Sequence, residues 1–151
     1  MKKHNENLAL GFFSFRFVEA IGVIIGSIGL LSLLTLSQEF VLAGAPLASS
    51  YQILGTLLLA TRNWAFMIGS GLAWSLSAVI LNYLLYNSKL IPKWLSVFGL
   101  VGGALSFGTY LLQFFSIHLE ILFILIAVQE MVFAIWLIVK GFNSSEIVSN
   151  S

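Results

Sequence analysis

Glu130 is the side chain whose type and place most invite chemistry. It sits in an apolar run, ten residues before Lys140 and twelve after His118. At 1.5 Å per residue this spacing puts the carboxyl near the middle of any hydrocarbon slab the run crosses. Gln129 adds a second polar group at that depth, and Ala127 and Ala134 flank Glu130 on its own helical face, where a neighbouring helix could approach closely. Arg16 and Glu19, three residues apart, are spaced for an ion pair along one helix. Arg62 stands alone at the start of a later apolar run, where a long side chain can reach back to water.

An ionisable residue inside a span is costly and is a functional candidate by default. Two accounts of Glu130 stay open at this point. Desolvation penalises the charged form of a carboxyl, and one poised between its two forms can carry a proton or a cation. The other account is structural: a charge or protonated acid bonded to a buried arginine or to the polar faces of other helices. The structural account is the leading expectation.

Catalytic sets are missing. The chain has no cysteine and no aspartate, and its two histidines, His4 and His118, are far apart. Disulfides, cysteine zinc sites, aspartate-completed Ser-His triads and paired aspartates are therefore excluded, and neither a phosphate-cradling glycine loop nor an HExxH string occurs. The sequence predicts no enzyme, metal or cofactor. A lipid-modifying enzyme is the weakest class considered, for want of a nucleophile and base.

The elements that must hold these residues follow from composition. Of 151 residues, 59% are hydrophobic and 9% charged, against about 25% charged in an ordinary soluble domain. Mean hydropathy is +1.00. A formal net charge of +1 without a basic face offers nothing to a phosphate backbone, so nucleic acid is excluded as a partner. The expected solvent is a lipid bilayer.

A spanning helix needs about 20 mainly apolar residues. Four stretches qualify in one all-α membrane domain covering residues 1–151: about 15–36, with a possible start at Leu8, then about 63–86, 94–115 and 119–139. Turn chemistry separates them, with Gly44, Pro46 and paired serines in the first gap and Asn87, Ser88 and Pro92 in the second. Residues 51–61 are apolar but too short to span, and read as an interfacial or re-entrant helix. A signal peptide is the competing reading of the first run. That run exceeds the roughly 7–15 residues of a signal core, and Pro46 follows where cleavage would fall.

Helices in lipid associate through small and polar residues. Gly71, Ser75, Ala78 and Asn82 form one stripe on the second span, and Gly99, Gly103, Ser106 and Tyr110 form another on the third. Gly22 and Gly26 make a GxxxG pair near the face of Glu19. Packing is the leading reading of these stripes and a polar pathway the alternative. With four crossings, Lys2, Lys3, Arg16, Lys89, Lys93 and Lys140 lie on or near one side and Arg62 near the other. Both termini are then expected in the cytoplasm, in a multi-pass protein of the cell membrane. Trp64, Tyr86 and Trp94 suit the interface, with Trp74 and Trp136 placed deeper.

Four strings carry a family resemblance: FRFVEAIG, YQILGTLLLATRNWAFMIG, LNYLLYNSKLIPKWLSVFGLVGG and QEMVFAIWLIVKGFN. Together they resemble the domain of unknown function 4386 family of small bacterial membrane proteins, from about Arg16 to Asn143. The resemblance implies a helical integral membrane protein without an assigned activity, and it makes Arg16, Glu19, Arg62, Asn63, Trp64, Gln129 and Glu130 family-like positions. It also implies a shorter form, lacking about two spans before Phe15, with the polar MKKHNEN segment in their place. Such a bundle is expected to need company, as a homo-oligomer or with a partner membrane protein. The leading function class is a non-enzymatic structural or interaction role. The alternative is a small-solute or proton-coupled transporter using Glu130, with the stripes lining its path.

Overall fold

A computed structural model describes residues 6–46, 50–117 and 119–143. His4, His118, Lys2 and Lys3 lie outside these residues. Every element is helical: α1 (Glu6–Leu42), α2 (Ser50–Phe66), a π-helical stretch (Met67–Ala73), α3 (Trp74–Ser88), α4 (Lys93–Gln113), a single 3-10 turn (Glu120–Leu122) and α5 (Phe123–Val139). Three helices are long and apolar enough to cross a membrane, Glu6–Leu42, Ser50–Ser88 and Lys93–Gln113, and α5 is a shorter apolar helix of 17 residues.

Two boundaries differ from those read in the sequence. Residues 51–61 are helical as expected, but they run through the π-helical stretch into α3, so one helix of 39 residues replaces a short helix and a separate span. The helical hydrogen-bond ladder runs on through the polar Thr61-Arg62-Asn63 run, where no glycine or proline stands to stop it, and the Thr61 hydroxyl bonds back to the Leu57 carbonyl at 2.9 Å. The first helix likewise begins at Glu6 and runs 37 residues, about 55 Å at 1.5 Å per residue.

The helix ends are chemically marked. After α1, Gly44 at φ 78° lets the chain turn left-handed, the Gly44 N–H donates to the Val41 carbonyl at 3.1 Å, and the Ala45 N–H donates to Phe40 at 3.0 Å. This is the paired closure that satisfies otherwise orphaned carbonyls. Ser116, at φ 59°, closes α4 in the same way through Ile117 N–H to Leu112 at 3.1 Å. Within the helices, hydroxyls bond back along their own backbone, as Ser27 does to Val23 at 2.8 Å and Thr109 to Leu105 at 2.9 Å. Lipid offers no other partner, so a polar group there must be satisfied internally.

The long helix is the centre of the assembly. α1 packs along α2, the π-helical stretch and α3, whereas α4 packs on α3 and α5 on α4. Trp64 meets Phe114 at 5.5 Å at one end, and Trp94 meets Trp136 edge-on at 6.5 Å at the other. Trp136 thus lies beside Trp94 at the lysine-bearing end, not deeper as expected. Below it, Leu85, Ile91 and Leu95 form the apolar core, with Val132, Phe133 and Leu137 of α5 against them.

Candidate functional site

The polar stripes of α3 and α4 close on each other. Ser75, Asn82, Ser106, Gly71, Gly99 and Gly103 are all buried. Gly99 makes room for the Asn82 amide, which a Cβ there would overlap, and a Cβ on Gly103 would sit 3.0 Å from Val79 Cγ2. Tyr110 fills the space over Gly71, where a Cβ would fall 2.7 Å from the ring. Asn82 donates from Nδ2 to the Ala78 carbonyl at 2.9 Å and accepts from Gln129 Nε2 at 3.4 Å. Gln129, 1% exposed, therefore points into the bundle and ties α5 to α3. Such intramembrane bonds average only about 0.6 kcal/mol, so this one sets register more than stability. The Ser96 and Ser106 hydroxyls are buried with no partner among the described residues, and these side chains serve as small packing groups.

Glu130, the next residue, faces the opposite way. It is exposed on the outside of the bundle, as are Ala127 and Ala134 on its own face, and Met131 beside it is 65% exposed. Two further charges of the sequence reading, Arg16 and Glu19, stand on α1. These two form an ion pair, Arg16 Nη1 to Glu19 Oε2 at 2.9 Å, with the guanidinium also 5.5 Å from the Phe12 ring centre. The ion pair is half open, with Arg16 40% and Glu19 21% exposed. The ion pair on α1 and the outward carboxyl on α5 are the charged groups of the candidate site, a seam of Arg16, Glu19 and Glu130.

Gly22 fixes where α1 crosses the long helix. At this residue α1 crosses the π-helical stretch with its backbone against Gly69, and a Cβ on Gly22 would stand 2.6 Å from Gly69 Cα. A π turn widens the helix, and its i−5 pattern is seen where the Trp74 N–H donates to the Gly69 carbonyl. The π turn and the depth of this crossing carried no pattern that sequence periodicity could reveal. Gly26 sits farther away, 3.7 Å from the Arg62 carbonyl by the same measure. Arg62 itself is not part of the seam. Its Nη1 donates to Asn63 Oδ1 at 3.0 Å, and its guanidinium lies 5.5 Å from the Phe66 ring centre, near the Trp64 end.

Comparison with curated proteins gave no match, and comparison with solved structures gave none. A family model, Domain of unknown function (DUF4386), matches residues 1–141. The match covers nearly the whole chain, including both the seam and the basic loop between α3 and α4. The chain belongs to the DUF4386 family of domains of unknown function.

Proposed function

We propose that this protein has a non-enzymatic, structural or interaction role in the cell membrane, with the seam of Arg16, Glu19 and Glu130 as the place where another membrane helix docks. The observation that carries this reading is the outward aim of Glu130 from an apolar helix whose neighbours Val128, Met131 and Ile135 are also exposed. A carboxyl on a lipid-facing surface is costly. A partner helix that supplies a donor or a cation, and slides in over Ala127 and Ala134, removes that cost. The transporter alternative draws less support, because the stripes that were to line its path are filled by Asn82, Val79 and Tyr110.

Proteoliposomes and native membranes separate the two. The interaction role expects no pH-driven flux that depends on Glu130, and it expects Glu130→Gln and Ala134→Leu each to shift the protein to a smaller complex in mildly solubilised membranes. A flux that Glu130→Gln abolishes, with complex size unchanged, overturns it in favour of a carrier.

Orientation is part of the same proposal. Lys89 and Lys93 flank the α3–α4 loop, and Lys140 caps α5 at the same end of the bundle. The bias of Lys and Arg towards cytoplasmic loops supports placing this end, and with it both termini, in the cytoplasm. Because the chain has no cysteine, Asn87→Cys gives a clean reporter. It is expected to resist an impermeant thiol reagent in intact cells and to react after permeabilisation, and labelling in intact cells would reverse the assignment.

A further inference from the structure

The lysine-bearing end of the bundle holds a pocket of about 290 Å³ between residues 89–92 and residues 140–143. Its two walls are built and clasped. α3 stops at Ser88 because Lys89 takes a left-handed conformation at φ 53°, and Pro92, whose carbonyl accepts from Leu95 N–H at 3.0 Å, starts α4. On the other wall Gly141, at φ 67°, turns the chain back after α5, so that the Asn143 N–H donates to the Leu90 carbonyl at 2.9 Å. The floor is apolar, with Ile91 3% exposed and Trp136 over the core. Two cations stand at the rim. Lys140 Nζ is held 4.8 Å from the Trp136 ring centre, and Lys89 is exposed at the turn. Among the described residues the only ion pair is Arg16–Glu19, so no described carboxylate neutralises either lysine.

We propose that this pocket binds the phosphate of an anionic phospholipid headgroup. Its position favours a lipid: it lies where α3, α4 and α5 all end, beside the Trp94–Trp136 pair, at the level where amphipathic rings sit among headgroups. Its chemistry is that of an amphiphile, two flexible ammonium groups for a phosphate above an apolar floor for the glycerol and the first methylenes. Basic pockets between helices at a membrane surface take anionic headgroups in this way. Neither the docking of a helix at the seam nor the absence of flux bears on this site, which lies at the far end of α5 from the 3-10 turn and is lined by none of Arg16, Glu19 and Glu130.

The test uses the purified full chain in phosphatidylcholine vesicles and the quenching of its tryptophans by a small fraction of dibrominated lipid. Dibromo-phosphatidylglycerol is expected to quench at a severalfold lower mole fraction than dibromo-phosphatidylcholine, from roughly fivefold per lysine at a membrane surface. Lys89→Gln with Lys140→Gln is expected to abolish that preference, Lys89→Arg with Lys140→Arg to keep it, and Lys93→Gln, whose Nζ lies 5.7 Å from the Tyr86 ring centre, to leave most of it. Inorganic phosphate, against chloride at equal ionic strength, is expected to relieve no quenching. Equal quenching by the two lipids, a loss with Lys93→Gln as large as with the pair, or relief by inorganic phosphate each overturns the proposal, the last by assigning the pocket to free phosphate.

Discussion

Gly22→Ala is expected to destabilise the protein by about 3 kcal/mol or more, while Gly26→Ala, four residues on and in the same GxxxG pair, is expected to stay within about 0.5 kcal/mol of the parent. The difference is steric. A Cβ on Gly22 meets Gly69 Cα at 2.6 Å and the Ala65 carbonyl oxygen at 2.9 Å, both backbone atoms that can yield only if two helices move apart. Overpacking costs about 1–3 kcal/mol where side chains can adjust, and more where they cannot. At Gly26 the nearest atom is 3.7 Å away, which is ordinary contact. Thermal unfolding of both variants in the same detergent measures the contrast, and equal midpoints would disprove the asymmetry.

The asymmetry also shows where sequence reading ran out. Spacing alone treats Gly22 and Gly26 as equivalent, since both lie on one helical stripe. What separates them is the π turn at Met67–Ala73, which brings the long helix closest to α1 at one level only. The stripes of α3 and α4 were legible because small and polar residues recur at helical spacing, and an apolar stretch of about 20 residues announces a span by length. Continuity of Ser50–Ser88 was not legible, because Arg62 reads equally as a helix boundary and as a residue that snorkels from within one. Gln129 and Glu130 show the same limit at one peptide bond. Periodicity places them about 100° apart, but which of them faces the bundle depends on where Asn82 and Gly99 leave a polar gap.

Arg16→Ala is expected to cost about 2–4 kcal/mol, and Arg62→Ala less than about 1 kcal/mol, although both remove one arginine from an apolar helix. Removing one partner of a buried ion pair typically costs about 3–5 kcal/mol because a charge is left without compensation, and the half-open setting of this pair lowers that figure. Arg16 is the cation bonded to Glu19, so its loss leaves that carboxyl without its cation. Arg62 has an amide and a ring for company and no carboxyl beside it. Arg16→Lys is expected to restore part of the loss, since an ammonium keeps the charge but not the planar fork. Detergent unfolding of the single variants and of Arg16→Ala with Glu130→Gln decides the matter. The seam requires the second substitution to offset part of the first, a non-additivity expected of groups within one charge network. Simple additivity, or equal effects at positions 16 and 62, would mean that Arg16 serves Glu19 alone and that Glu130 must find its partner outside this chain.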